Sequence, residues 1–250
     1  MVSSRLISFP HSCSPPAPSS LLGNASPLVS AASPLRIGEL EALELRPERA
    51  ETYLLLAHGA GAGMRHAFME AIAAALAERG VATLRFQFPW MQRGEKRIDA
   101  PPLLHAAVRD AFAEAQRRAG ALPLFAGGKS LGGRMTSQVA AKGALATARG
   151  IVFLGFPLHP AGKPGTERAA HLREVAQPML FAQGTRDALA ELALLRPVVA
   201  ALGSRARLHL EDDADHAFHV RKKSGRDDGA VIASLADAVR KFTRELESER

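Results

Sequence analysis

From residue 35 onward, short apolar runs alternate with longer segments in which apolar positions recur at helical spacing. Tyr53–Ala57, Val81–Phe86, Leu122–Ala126, Ile151–Leu154, Pro178–Ala182 and Ala206–Leu210 read as strands. The partly alternating run Leu40–Leu45 reads as an antiparallel edge strand. Between them, Phe68, Ile72, Leu76 and Arg79 share one helical face, as do Leu104, Val108, Phe112 and Ala115. Ile232, Leu235, Val239, Phe242 and Leu246 mark a closing helix. The segment Ala188–Leu202 is also helical in pattern but carries Pro197, which is expected to start a new helix or kink the old one. This βαβα order predicts one α/β domain over residues 35–250, with a doubly wound, mostly parallel sheet flanked by helices.

Residues 1–34 differ in composition: they are rich in Ser and Pro and carry one charge, Arg5. Such a stretch cannot bury a core and reads as a disordered leader, or as upstream sequence brought in by a misplaced start. A signal peptide is the competing reading, but Pro10 and His11 interrupt its apolar region almost at once.

Composition narrows the class further. Hydrophobic residues make up 47% of the chain and aromatics only 5%, so the core is expected to rest on aliphatic side chains. The net charge is +7, but the cations are scattered. Runs such as Arg117-Arg118 and Arg221-Lys222-Lys223 are short and lack interleaved aromatics, so no nucleic acid is expected as a partner. Cys13, the only cysteine, cannot form an intramolecular disulfide. No apolar run reaches the roughly 20 residues of a membrane span, and a cytoplasmic protein with no membrane partner is expected.

The candidate chemistry starts at Gly128-Lys129-Ser130-Leu131-Gly132, a G-x-S-x-G turn between an apolar strand and a helical segment. In that context a serine sits on a sharp turn whose small neighbours tolerate a strained backbone, the nucleophile turn of an α/β-hydrolase fold. Two phosphate-binding readings fail. Pro123 occupies the place of the first glycine in G-x-x-x-x-G-K-[ST], and Met64 that of the third glycine in G-x-G-x-x-G.

A serine hydroxyl needs a base, and the base an acid. In this fold the order along the chain is Ser, acid, His, and Asp187 and His216 supply it, each just past a strand's carboxyl end. An N-cap role is the plainer reading of Asp187, and His219 is the rival of His216. A metal site from Asp213, Asp215, His216 and His219 lacks further ligands; neither metal nor cofactor is expected. The oxyanion hole is expected to combine the amides of Leu131 and Ala60, with Gly61 as the alternative to Ala60. Phe88, Trp90 and Met91 follow a strand's carboxyl end and are candidates to line a substrate pocket, although ordinary packing is the preferred reading. Arg93, Lys96 and Arg97 are candidates to favour an anionic substrate. Phe156–Gln177 is too short and irregular for a large lid, so the lid is expected to be minimal.

Five segments in order carry a resemblance: Ala57-His58-Gly59-Ala60-Gly61, Arg85-Phe86-Gln87-Phe88-Pro89, Gly127–Arg134, Gly155–Pro160 with Gly162-Lys163-Pro164, and Gln183-Gly184-Thr185-Arg186-Asp187. Together, from about Arg36 to the C-terminus, the chain resembles the KANL3/Tex30-type α/β-hydrolase-like proteins. The resemblance implies an α/β-hydrolase fold and places nucleophile, acid and base on Ser130, Asp187 and His216. It implies little about substrate, and relatives include a chromatin-complex subunit with a scaffolding role. The expected function is therefore a serine hydrolase acting on a small-molecule ester or related acyl substrate; the alternative is a hydrolase-fold binding or scaffold protein. Oligomeric state is not legible.

Overall fold

The computed structural model describes Met1 and residues 31–248. Residues 2–30, and with them most of the segment set apart as a leader, lie outside the described residues. The end of that segment belongs to the sheet. β1 (Ser33–Ile37) pairs antiparallel with β2 (Leu40–Leu45) across a two-residue turn in which Gly38 has φ 58°. β1 escapes the hydrophobic pattern because it is a short edge strand carrying Pro34 and Arg36, residues an edge tolerates.

The remaining elements follow as β3 (Thr52–Ala57), α1 (Ala67–Ala77), β4 (Val81–Phe86), α2 (Pro89–Gln92), α3 (Pro101–Ala119), β5 (Leu124–Lys129), α4 (Leu131–Ala141), β6 (Ile151–Leu154), β7 (Met179–Gly184), α5 (Leu192–Ala201), β8 (Ala206–Glu211) and α6 (Asp228–Ser248). The eight strands of the described residues form one sheet in the order β1-β2-β4-β3-β5-β6-β7-β8. β2 is antiparallel to both of its neighbours, and β4, β3, β5, β6, β7 and β8 are mutually parallel.

Successive side chains in the central strands go to opposite layers. Leu54, Phe125, Val152, Leu154 and Leu180 pack with α1 and α6. Tyr53, Leu55, Ala126, Phe153 and Phe181 pack with α3, α4 and α5. Burial on both faces is why these strands read as unbroken apolar runs. No helix among the described residues is long and apolar enough to cross a membrane.

The departures from the expected bounds are largest at β5 and α5. β5 runs on to Lys129, three residues past the apolar run, with Gly127, Gly128 and Lys129 still in register with β6. Glycines are poor strand formers, yet here a Cβ on Gly127 would overlap the Val152 carbonyl and one on Gly128 the Ala57 carbonyl. Close approach of three strands demands them. In the segment after β7, the helix starts only at Leu192 and passes through Pro197 without ending. The proline forfeits one backbone bond there.

Substitution separates glycines that the packing demands from those it does not. Gly127→Ala should cost more than about 3 kcal/mol or abolish cooperative unfolding in urea. Gly61→Ala, with nothing within 4 Å of the added carbon, should stay within about 0.5 kcal/mol of the parent.

Candidate active site

Ser130 stands where β5 ends and α4 begins, with φ 51° and ψ −114°. A non-glycine residue rarely adopts positive φ, and holding it there costs about 1–3 kcal/mol. The surroundings enforce it. The Ser130 amide donates to the Leu154 carbonyl at 3.1 Å, and its own carbonyl accepts from the Arg134 amide at 3.1 Å. Gly132 lets the first turn of α4 lie against β3; a Cβ there would come within 2.5 Å of the Ala57 and His58 carbonyls.

Asp187 follows β7 in a tight turn fixed by Arg186 N–H donating to the Ala214 carbonyl at 2.9 Å. Its carboxylate is buried and fully engaged. One oxygen accepts from the Leu189 amide at 2.7 Å, the other from the Gln183 side-chain amide and from His216 Nδ1 at 2.7 Å. With Nδ1–H donating to Asp187, His216 Nε2 is free to accept the Ser130 hydroxyl, 2.8 Å away. Three groups from the ends of three strands thus form one hydrogen-bonded line. Asp187 does not cap α5, whose N-cap is Glu191.

The other polar residues near His216 build its loop. His219 pairs with Asp228 at 2.5 Å, which raises the imidazole pKa, and the bond to Ser130 is made by His216. Asp213 holds Arg221, and Asp215 accepts from the Ala217 and His219 amides.

The loop after β3 lies directly on the serine. A Cβ on Gly59 would be 3.6 Å from that of Ser130. His58, fully buried, anchors the loop: Nδ1–H donates to the Gly59 carbonyl at 2.7 Å, and Nε2 accepts the Phe88 amide at 3.0 Å. Gln87 accepts the Met64 amide at 2.9 Å, and the buried Arg85 donates to the Met64 carbonyl at 2.9 Å. The segment after β4 therefore serves as the loop's scaffold. Leu131 is the first residue of α4, where no intrahelical carbonyl is available to its amide, and Ala60 borders the same cleft as Ser130.

The candidate pocket residues pack in the core and do not line the cleft. Phe88 and Trp90 are buried in the core, stacked at 5.0 Å, with Trp90 5.5 Å from the His58 ring, and Met91 is half-buried against the same core. Ordinary packing wins because α2 folds back under the His58 loop. Arg93 is engaged with Glu95 and Asp99, and neither it nor Lys96 nor Arg97 borders Ser130. The cleft beside the serine, about 670 Å³, opens on the α1 and α6 side. Phe68, Met69, Leu189, Phe218 and Ile232 give it apolar walls, and Lys129 and His216 also line it. Phe156–Gln177 contributes nothing to that cleft. Its 3₁₀ helix, Glu167–Glu174, packs on α4 through Ala169, Leu172 and a 2.8 Å bond between His171 and Ser137.

Sequence reasoning missed the bonds made by His58 and Gln183, although each lies inside a motif segment; a polar residue at the end of an apolar run was the available signal. Phe68 and Phe218 carried none.

A family model described as an alpha/beta hydrolase domain matches residues 50–244. Solved structures share the fold at low identity. An alpha-beta serine hydrolase homologue from Coxiella burnetii is 20% identical, with TM-score 0.67 over 84% of this chain and 97% of that one. XC6422 from Xanthomonas campestris, an a/b serine hydrolase without a lid, is 20% identical, with TM-score 0.65 over 86% and 96%. Est1E from Butyrivibrio proteoclasticus, solved with ferulic acid bound, is 13% identical, with TM-score 0.67 over 87% and 100%.

Burial lowers the His58 pKa from 6.5 to about 4. Between those values the unfolded chain binds a proton that the folded ring refuses, so the His58 contribution to stability falls as pH drops through that window and is constant above it. His58→Gln should remove about one proton from the uptake linked to unfolding, read by urea denaturation at stepped pH. An unchanged uptake would show that the folded ring is already protonated.

Proposed function

The chain belongs to the alpha/beta hydrolase domain family, and from that premise we propose that it is a serine hydrolase cleaving an ester or related acyl substrate through an acyl-enzyme at Ser130. The observation that carries this reading is the unbroken line from buried Asp187 through His216 to the Ser130 hydroxyl, with bonds of 2.7 and 2.8 Å.

His216 Nε2 takes the hydroxyl proton as Ser130 Oγ attacks the carbonyl carbon. Asp187 keeps the imidazole in the Nδ1–H tautomer and stabilises the imidazolium that forms. The amides of Leu131 and Ala60 receive the negative charge developing on the carbonyl oxygen, a contribution of several kcal/mol. His216 then gives the proton to the leaving alcohol. A water, deprotonated by the same ring, attacks the acyl-enzyme, and Ser130 leaves with its hydroxyl restored. None of these steps calls for a cofactor.

The apolar walls of the cleft suit the hydrocarbon portion of a small uncharged substrate. Within the family we read the chain as KANL3/Tex30-type on its motif segments, and as a cytoplasmic enzyme.

A fluorophosphonate probe should label the purified protein at Ser130, located by mass spectrometry. Ser130→Ala should abolish labelling, and His216→Ala or Asp187→Asn should slow it by roughly 10³-fold or more. A folded protein that takes no label would overturn the hydrolase reading and leave a binding or scaffold role.

A further inference from the structure

One charged group in the cleft has no part in the chemistry above. Lys129 is the last residue of β5 and immediately precedes Ser130, yet its side chain reaches to the base loop. Nζ donates to the main-chain carbonyl of His216 at 2.5 Å. It also lies 5.1 Å from the centre of the Phe218 ring and 5.7 Å from that of Phe68, two rings that stack on each other at 5.6 Å. Gly155, at φ 73°, makes room beneath. A Cβ there would come within 3.0 Å of Nζ and 3.6 Å of the His216 ring.

We propose that Lys129 is a positioning residue whose ammonium holds the main chain of His216, so that the base is registered against the nucleophile by the side chain of the nucleophile's own neighbour. This rests on the serine hydrolase reading. Asp187 orients the imidazole from its Nδ1 edge, and Lys129 fixes the backbone from which the ring hangs. Both ends of His216 are then referenced to the sheet.

An alternative use, recognition of a substrate anion, fits less well. The ammonium is already engaged by a carbonyl and two aromatic faces. A merely structural use fits poorly too. Burial among apolar walls disfavours the charge, and although Asp187 and Asp215 favour it, the pKa is lowered from 10.5 to about 8. His66, His219 and Asp228 are the other titratable groups around the cleft. A folded-state pKa below the unfolded one means that the charged lysine costs stability below pH 8, and that the cost fades as pH rises from there toward 10.5. For folding alone a methionine would serve better. The two accounts therefore predict opposite signs.

The test is the rate of fluorophosphonate inactivation of the full chain, resolved into its maximal rate and its half-saturating probe concentration, from pH 6 to pH 10. In the parent, the maximal rate should fall as pH rises through about 8. Lys129→Met should lower that rate about ten- to a hundredfold with half-saturation unchanged, remove the alkaline fall, and leave stability to urea equal or higher. Lys129→Cys in a Cys13→Ser background should behave likewise until aminoethylation restores an ammonium of lysine's length, which should bring the rate back. A Lys129→Met protein labelled as fast as the parent would overturn the proposal. So would one in which only half-saturation rises, which would make Lys129 a substrate-binding cation. A parent that is itself unlabelled would overturn the hydrolase reading beneath it.

Discussion

The positive φ of Ser130 is the constraint on which the rest of the site depends. A serine held in that conformation projects its hydroxyl from the sheet edge at the start of α4, where free amides and the helix dipole favour developing negative charge. The strain persists only because relaxation is blocked. Gly128 and Gly132 bring β5 and α4 against the carbonyls that end β3, and the Ser130 amide is held by the carbonyl that ends β6. Close packing of three strands, rather than any side-chain bond to the serine, stores the strain.

From that fixed point the polar network radiates in matched pairs. Asp187 is buried, a costly place for a carboxylate without partners, and it has three: His216, Gln183 and Leu189. Gln183 uses its other end to accept the Phe156 amide at 2.9 Å, so the loop after β6 and the acid loop after β7 are tied through one side chain. His58 does the same on the opposite side, joining the loop after β3 to the segment after β4. Two pairs of loops at this edge are thereby braced against each other, which suits the close tolerances of the proposed acyl transfer.

The legible and illegible parts of this molecule divide on physical grounds. The central strands were plain in sequence because burial on both faces forces continuous apolar runs, and Val81–Phe86 and Ile151–Leu154 have the bounds their side chains announce. The Gly-x-Ser-x-Gly turn and the order of Asp187 and His216 were legible because the sheet's carboxyl edge gathers residues that lie just past strands. β1 was not, since an edge strand with one solvated face needs no pattern strong enough to notice. The cleft was misread for a deeper reason. Whether Phe88 or Phe68 faces the serine depends on how α1, α2 and α6 pack, contacts between residues far apart in the chain. The aromatics nearest a strand end turned inward onto His58, while the cleft took its rings from the first turn of α1 and from the base loop.

That last choice ties recognition to chemistry. Phe218 is two residues from His216, and its ring stacks on Phe68 of α1 with planes 12° apart. The wall of the cleft and the loop that carries His216 are consequently joined through one pair of rings. A wall built from α1 alone could yield to a bulky group without disturbing His216. On the proposed reading, a group that displaces Phe218 would also move the loop that carries His216. If Ser130 and His216 act as proposed, discrimination between substrates should therefore register in the rate of the chemical step as well as in binding.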